Sequence, residues 1–435
     1  MDRRRFLYQT AAGVGALSAG LAISGAESRE PARRLVAASL SGHELPMPVG
    51  PLDPYPEDKP NVILVRFGGG VRRRETVQFR DKTYCPFILH ELAEKRGVLY
   101  SNVEIAQLDP EGAQVVTSHG QGTLYILTGQ YRHYEDVYRQ PFADRFIPKE
   151  PTVFEYLRAR YDVREHEALI INGEDRVDEE FYTFSKNHLF GVNYKSTVLS
   201  LYGFKTFLLR QQLAGALPDQ ERKEKEQQLQ EMVQRDYMTA EARSDASDPQ
   251  GEGSKRKLEE YWSRWRDYYG DSGLVNPRGD RLLTSFALRA MKELRPRLMM
   301  INYQDTDYVH WGNPYSYTRA ISIIDDGVRE IHEAAQADPF YRDRTVFLVI
   351  PDCGRDNNRG MAVPYQHHFN SKCAHEVFAV LSGPDKFIGE LRSRNGGTNG
   401  PARCDRPLQQ IAAATTIGDL MGFPTPFAAP DTFLV

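Results

Sequence analysis

The sequence predicts an α/β fold, in which a central, mostly parallel sheet lies between helices and carries a helical insertion. Three observations lead to this prediction. Short apolar runs of strand length alternate with segments whose apolar residues recur at helical spacing. This alternation is typical of parallel strands that are connected through helices. One long polar segment interrupts the pattern, and polar side chains follow several of the strand-like runs.

Five apolar runs are predicted to form strands of the sheet. They are rich in Val, Ile, Leu and Met, as expected for strands that helices cover on both faces. In chain order they are NVILVRF (61–67), EALIIN (167–172), RLMMINY (297–303), TVFLVI (345–350) and EVFAVL (376–381).

Helical spacing is clearest between the third and the fourth of these runs. Six apolar residues there recur every three or four positions, which predicts a helix with one face packed on the sheet. They are Tyr317, Ala320, Ile321, Ile324, Val328 and Ile331. A shorter helix, PFILHELAEKRG, is predicted to begin at Pro86 and to end at Gly97.

Composition divides the chain into a leader, a linker and one large domain. Residues 1–26 have a basic start and a weakly apolar stretch rich in Gly and Ala, which is typical of a signal peptide. Residues 27–60 are predicted to be a linker, and residues 61–435 the α/β domain. Within it, about 175–285 is predicted to be an insertion or cap, because the segment contains a long polar run and a Gly/Ser/Asp break.

The leader contains a more specific export motif. Arg3-Arg4-x-Phe6-Leu7 resembles the twin-arginine signal, although Asp2 stands where that signal usually has Ser or Thr. The resemblance implies the twin-arginine export machinery as a partner and a location in the periplasm or outside the cell. The alternative is an uncleaved membrane anchor, for which the segment is barely long enough.

Charge and cysteine content exclude other classes of protein. The formal net charge of -4 over 435 residues argues against a nucleic-acid partner held through its phosphates. Four scattered cysteines do not make a disulfide scaffold. An oxidising compartment would permit one bridge, such as Cys373–Cys404, but the spacing alone does not establish it.

Acids, histidines and one cysteine lie at the ends of three predicted strands. Functional groups of open α/β sheets gather beyond the carboxyl ends of their strands, and oxygen and imidazole ligands suit a divalent metal such as zinc. The alternative is that each loop is an ordinary surface loop. The candidate ligands are Asp305, Asp307 and His310 after 297–303, Asp352 and Cys353 after 345–350, and His367 and His368 before 376–381.

An anion-binding segment is predicted after the first strand. Gly68, Gly69 and Gly70 begin the sequence GGGVRRR, in which backbone amides could cradle an anion. Arg72 and Arg355 are the candidate side chains that would pair with it. The alternative for the arginine run is a solvated charge run.

The order of these features resembles the alkaline phosphatase superfamily, which includes sulfatases, nucleotide pyrophosphatases and metal-dependent phosphoglycerate mutases. DTDYVHWGNPYSY is similar to its Asp-x-x-x-His element, TVFLVIPDCGRD to its strand ending in Ser-Asp-His-Gly, and QHHF to its last metal histidine. TSHGQGTLYILTGQY (117–131) resembles the helix that carries its nucleophile, and CDRPLQQIAAATTIGDLMGFPTP its closing helix. The resemblance covers roughly 61–135 and 290–425. It implies a three-layer sandwich with one or two divalent ions.

The chain departs from the superfamily's pattern at two expected metal ligands. Arg66-Phe67-Gly68 stands where the superfamily has an acid at the end of the first strand. Cys353 stands where it has a histidine. The spacing to His310 also differs by one residue, whether Asp305 or Asp307 is the first ligand. These departures change residues that would be expected to bind a second metal ion.

The nucleophile position is a further departure. Counting back from Thr128-Gly129 puts His119 at its position, with Ser118 beside it. Ser118 has the expected chemistry, so we predict that it is the nucleophile and that His119 lies next to it in the site. There is no Cys-x-Pro-x-Arg, which argues against a sulfatase with a modified cysteine.

The resemblance therefore implies an exported, metal-dependent hydrolase of phosphate or sulfate esters. Its substrate would be a small molecule or a component of the cell envelope. One alternative is a catalytically degenerate member that binds an anionic ligand or an envelope polymer. Another is a transferase or mutase that modifies the envelope.

Overall fold

A computed structural model gives the structure of the chain. It describes residues 39–40, 43–44, 52–136, 146–173, 182–235, 252–271, 279–310, 313–356, 365–367, 371–396 and 401–435. The predicted signal peptide, 1–26, and His368 lie outside the described residues. The chain divides into two compact units, Met1–Val49 and Gly50–Val435.

The strands follow in chain order. They are β1 (Ser39–Leu40), β2 (His43–Glu44), β3 (Asn61–Phe67), β4 (Gly97–Glu104), β5 (Tyr134–Asp136), β6 (Phe146–Pro148), β7 (Ala168–Ile171), β8 (Thr197–Leu199), β9 (Leu298–Tyr303), β10 (Thr345–Pro351), β11 (Glu376–Ser382), β12 (Ala402–Cys404) and β13 (Leu408–Gln409). In the first unit β1 pairs with β2 in antiparallel fashion.

Among the described residues, the α-helices belong to the second unit. They are α1 (Glu94–Arg96), α2 (His119–Thr128), α3 (Val153–Arg160), α4 (Leu201–Ala214), α5 (Asp219–Arg235), α6 (Glu252–Tyr269), α7 (Asp280–Glu293), α8 (Pro314–Ala337), α9 (Lys372–His375), α10 (Asp385–Arg394) and α11 (Ala412–Met421). Shorter π and 3-10 segments are Arg74–Gln78, Arg80–Lys82, Phe87–Ala93, Glu165–Glu167, Gly191–Tyr194 and Asp307–Val309.

The second unit is built on a nine-stranded sheet with the order β12-β4-β11-β10-β3-β9-β7-β8, to which β13 adds beside β4. The run from β10 to β8 is parallel throughout, whereas β11 is antiparallel to both β10 and β4. The predicted α/β class with a mostly parallel sheet is therefore confirmed. The five predicted strands correspond to β3, β7, β9, β10 and β11.

Helices cover both faces of this sheet. On one face, alternate residues of β3, Ile63, Val65 and Phe67, join a large hydrophobic core with α7 and α8. Because side chains alternate along a strand, Arg66 points to the opposite face. There α2, α3 and α11 pack together, and α11 contacts β3. The site lies at the carboxyl ends of β3, β9 and β10, which this parallel arrangement brings to one edge.

The segment predicted as an insertion is only in part an addition to the sheet. Residues 175–285 include β8, which forms the edge of the main sheet beside β7. On α6 the side chains of Tyr261, Trp262 and Trp265 are buried in the main core, where a cap was expected. The polar helix α5 is exposed along most of its described length.

Two further observations concern membrane-spanning helices and the cysteines. Within the described residues, no helix is long and apolar enough to cross a lipid bilayer. All four cysteines are free thiols, so the bridge considered between Cys373 and Cys404 is not formed.

Candidate active site

Three side chains of metal-ligand type meet beyond the end of β9. Asp307 begins the 3-10 turn after β9, His310 follows that turn, and His367 comes from the segment before α9. Asp307 Oδ1 lies 3.1 Å from His310 Nε2 and 3.2 Å from His367 Nε2. The ligand atoms of the three residues all lie within 4.8 Å of one another. One carboxylate and two imidazoles at such distances fit a single zinc-like ion, whose ligands lie about 2 Å from it.

The surroundings of both imidazoles suit them to bind a metal ion. His367 is fully buried, and burial lowers its pKa, which favours the neutral ring that binds metal. His310 Nδ1 lies 3.2 Å from the Tyr365 carbonyl oxygen, to which it can donate a hydrogen bond. That bond would fix the tautomer and leave Nε2 directed at Asp307 and the cluster.

Asp305, the alternative first ligand, faces away from this cluster. Its carboxylate accepts a hydrogen bond from the Asp280 amide at 3.1 Å, and its own amide donates to Asp280 Oδ2 at 2.9 Å. Burial, with the Asp305 charge beside it, raises the pKa of Asp280 well above its ordinary value. Asp305 thus belongs to the junction between β9 and the start of α7.

A second buried cluster joins β3, β10 and α2. The Arg66 side chain is fully buried, and its Nη1 donates to Thr123 Oγ1 at 2.6 Å and to Asp352 Oδ2 at 3.3 Å. Asp352 Oδ2 also lies 2.8 Å from His119 Nδ1. The His119 Nε2 atom is 3.0 Å from both Nη1 and Nη2 of Arg66. With a proton on Nδ1, His119 donates to Asp352 Oδ2, and its Nε2 atom accepts from the Arg66 guanidinium.

Backbone amides complete the surroundings of Asp352. Its Oδ2 accepts from the Gly69 amide at 2.9 Å, and its Oδ1 from the amides of Gly70 and Cys353 at 3.0 and 2.7 Å. Burial alone would raise the pKa of Asp352, but the His119 hydrogen bond and the Arg66 charge outweigh it and lower that pKa. Asp352 is therefore held as a carboxylate.

The glycine loop turns its amides toward Asp352. Gly69 and Gly70 have φ values of +79° and +77°, which favour glycine. A Cβ atom at Gly69 would lie 2.4 Å from the Cβ of Asp307. The loop therefore passes between the two clusters and holds them next to each other. Gly68 accepts a hydrogen bond from the Thr306 hydroxyl through its carbonyl oxygen.

The two arginines predicted to bind an anion have other partners. Arg355 is fully buried, and its guanidinium donates to the carbonyl oxygens of Gly69, Gly70, Thr306 and Tyr365. Arg355 therefore stabilises the conformation of the glycine loop. Arg72 forms a bidentate pair with Glu75 at 2.7 and 2.8 Å.

A cleft of about 800 Å³ extends from Arg72 along the surface. Its walls combine aromatic rings with basic side chains, and Tyr365, whose carbonyl oxygen contacts His310, is part of the wall. The other lining residues are Arg72, Arg74, Glu75, Gln78, Phe79, Arg80, Asp81, Lys82, Tyr84, Pro314, Tyr317 and Thr318.

Ser118 and His119 lie at the start of α2, as the sequence predicts. Ser118 is the N-cap, and its Oγ accepts from the Gln121 amide and donates to Gln121 Oε1. The neighbouring Thr117 hydroxyl donates to the His367 carbonyl oxygen at 2.6 Å. The start of α2 therefore adjoins the Asp307–His310–His367 cluster. Of the two candidates, His119 is the one whose side chain contacts the Asp352 carboxylate.

Cys353 is buried beside Asp352 and outside the three-residue cluster. Burial and the Asp352 carboxylate raise the pKa of its thiol well above the ordinary value. It is therefore a neutral thiol in this arrangement.

Sequence reasoning overlooked three residues of the site. At Arg66 the sequence motifs show only that the superfamily's acid is absent. A charged residue inside the apolar run NVILVRF is itself a signal of a buried, paired charge. Thr123 and Tyr365 contribute a hydroxyl and a carbonyl oxygen, and no pattern in the sequence distinguishes them from other core residues.

The solved structures that the chain resembles share little sequence identity with it. No protein-family model matches the chain, and no curated protein matches its sequence. Among solved structures, the chain is similar to the lipoteichoic acid synthase LtaP from Listeria monocytogenes, with 10% identity, a TM-score of 0.46, and coverage of 88% of this chain and 78% of that chain. It is also similar to the C-terminal periplasmic domain of EcEptC from Escherichia coli in complex with Zn, with 11% identity, a TM-score of 0.44, and coverage of 88% and 90%.

A third similar structure is a protein in the alkaline phosphatase superfamily from Vibrio parahaemolyticus. Its identity is 10%, its TM-score 0.41, and the coverage is 86% of this chain and 69% of that chain. All three TM-scores lie below 0.5.

Proposed function

We propose that the chain is an exported, metal-dependent hydrolase of phosphate or sulfate esters in the alkaline phosphatase superfamily. The observation that carries the proposal is the convergence of Asp307, His310 and His367 at the edge of the sheet where α2 begins. These residues would hold one divalent ion, with zinc favoured by the donor set. A bound ion would polarise the ester and lower the pKa of a hydroxyl or water beside it.

The residues around this cluster have supporting roles in the proposal. Ser118 is the proposed nucleophile, because it caps α2, where helix amides favour developing negative charge. Its oxygen would bond to phosphorus or sulfur while the alcohol leaves with a proton. Water would then release the phosphate or sulfate and restore the hydroxyl. The Ser118 hydroxyl must first exchange its hydrogen bond to Gln121 Oε1.

The test is hydrolysis of aryl phosphate and aryl sulfate esters by the purified, zinc-loaded chain. We expect Asp307→Asn and Ser118→Ala each to lower kcat by at least about 100-fold. Only Ser118→Ala should retain the metal. Full activity of Asp307→Asn would exclude this site as the catalytic centre. Full activity of Ser118→Ala, with activity lost in His119→Ala, would assign the covalent step to the imidazole.

A second candidate function is binding of an anionic envelope polymer without turnover. The cleft beside Tyr365 favours it, because it combines basic side chains with exposed aromatic rings at Phe79 and Tyr84. Aromatic rings can pack on sugars while cations pair with phosphate or sulfate. Saturable binding of dextran sulfate that weakens in Arg74→Ala/Lys82→Ala, with no hydrolysis of any ester, would favour this function over the first.

A further inference from the structure

We infer that the Arg66 guanidinium is a built-in cation that takes the place of a second metal ion. The inference rests on the proposed function in one respect, because it presupposes the ion at Asp307, His310 and His367. It states that the folded chain binds that ion alone and that Asp352 and Cys353 do not bind metal.

The first argument is the saturation of Asp352. A carboxylate has about four lone-pair sites, and metal binding requires one of them. Five donors already surround this carboxylate at 2.7–3.3 Å: the amides of Gly69, Gly70 and Cys353, the His119 Nδ1 atom and the Arg66 Nη1 atom. A metal ion could bind Asp352 only by displacing some of these donors.

The second argument is the charge that Arg66 brings to the same place. Its side chain has no exposed surface, and neither has that of Asp352, so the two charges compensate each other inside the protein. A guanidinium stays charged at any ordinary pH. It would repel a divalent cation placed within a few ångströms, where little water is present to screen the charges.

The third argument is how firmly the guanidinium is held. Besides Asp352, it contacts Thr123 Oγ1 at 2.6 Å, His119 Nε2 at 3.0 Å and the Tyr303 carbonyl oxygen at 3.3 Å. These partners come from α2 and from β9, so Arg66 connects both to β3. A movement that vacated the position for a metal ion would break all of these contacts.

The arrangement makes Arg66 a positioning residue. It lies too deep to touch a substrate, but it holds His119 and Asp352 beside the glycine loop that contacts Asp307. A metal ion can be removed by a chelator, whereas this cation is covalently part of the chain. Chelation should therefore remove the ion at Asp307 and leave the Arg66–Asp352 pair in place.

The experiment counts zinc ions per chain by elemental analysis and titration calorimetry. We expect one ion for the wild type, and its loss in Asp307→Asn. The charge-neutral double variant Arg66→Met/Asp352→Asn removes the buried ion pair as a unit and should still bind one ion, within about tenfold of the wild-type affinity. Cys353→Ser provides a milder variant at the same place and should also bind one ion.

The outcomes separate the two proposals. Two site-bound ions in the wild type would overturn the inference about Arg66 and leave the proposed hydrolase in place. Loss of zinc in the folded double variant or in Cys353→Ser would do the same. No zinc in the wild type would overturn both. A thermal shift with zinc in wild type and Cys353→Ser, but not in Asp307→Asn, would support the inference without any measurement of activity.

Discussion

Two aspartates that lie two positions apart after β9 have different environments. The Asp307 carboxylate contacts two imidazoles, His310 and His367, in a partly exposed cluster. The Asp305 carboxylate instead accepts from the Asp280 amide at the start of α7. Negative charge is favoured at a helix N-terminus, so Asp305 has a structural partner that does not require an ion. The partners of Asp307 are imidazoles, which are side chains of metal-ligand type.

This difference yields a prediction with a matched control. Asp307→Asn removes the charged ligand of the cluster, and we expect zinc affinity to fall by about 100-fold or more, because even residues that only support a ligand cost 10–100-fold. Asp305→Asn makes the same chemical change nearby and should leave zinc affinity within about threefold. Calorimetric titration measures both. Equal losses in the two variants would contradict the assignment of Asp307 as the ligand.

The residue scale is where the sequence was least informative. The strand-end rule predicts that acids and histidines gather at one edge, and Asp307, His310 and His367 do so. It does not predict which of two nearby acids turns inward, because that depends on the path of the loop. Nor does it predict that Arg66 pairs with Asp352, since the two residues are far apart in sequence and meet only through the register of β3 and β10.

At the element scale, the start of α2 is set by close approach to the end of β10. A Cβ atom at Gly122 would lie 2.0 Å from the Asp352 carbonyl oxygen, so only glycine allows the helix to pack there. Gly203 on α4 has more room, because its Cβ would lie 3.6 Å from Trp262. Packing therefore requires glycine at position 122, whereas at position 203 it leaves space for a methyl group.

Replacing each glycine by alanine tests this packing. We expect Gly122→Ala to lower the free energy of unfolding by about 1–3 kcal/mol, as for an overpacked core. Gly203→Ala should raise it by about 0.5–1 kcal/mol, because alanine is the better helix former where it fits. Denaturant unfolding measures both changes. A stable Gly122→Ala variant would show that α2 does not approach Asp352 so closely.

The start of α3 gives a prediction about pH. Glu155 is buried in a capping box with Thr152, and burial raises its pKa from 4.5 to about 7. Between these values the folded chain keeps a proton that the unfolded chain has lost. The free energy of unfolding should therefore fall as pH rises through this window, by up to about 3 kcal/mol. Glu155→Gln should abolish this dependence.

The control for that measurement is a solvent-exposed glutamate of the same chain. Glu224→Gln changes an exposed residue of α5, so the pH dependence of unfolding should match that of the wild type. Unfolding is followed at pH values from about 5 to 8, where the slope rather than the absolute stability is compared. An unchanged slope in Glu155→Gln would show that Glu155 is ionised throughout the window.

Elements were predictable where periodicity is strong. The run 61–67 has the bounds of β3, and the helix face from Tyr317 to Ile331 lies within α8. Four strands of the sheet, β4, β8, β12 and β13, were not predicted. The β4 sequence GVLYSNVE contains Ser and Asn, and β8 has only three residues at the edge of the sheet. Both depend on tertiary pairing more than on local pattern.

On the scale of the whole molecule, a preassembled site is compatible with export of a folded chain. The site draws on β3, β9, β10, α2 and the segment before α9, so it exists only after most of the second unit has folded. A twin-arginine signal directs folded proteins across the inner membrane, and Arg3-Arg4-x-Phe6-Leu7 has its spacing. Metal could then be bound before export.

We therefore expect export to require the guanidinium groups of Arg3 and Arg4. Changing both to Lys keeps the positive charge of the leader but removes the paired arginines, so the precursor should accumulate in the cytoplasm of a bacterial host. Arg5→Lys is the matched control, because Arg5 occupies the variable position of the motif and its replacement should leave export normal. Immunoblots of cytoplasmic and periplasmic fractions measure the distribution. Normal export of the Arg3→Lys/Arg4→Lys variant would show that the leader works through a different route, because a general signal peptide needs only positive charge at its start.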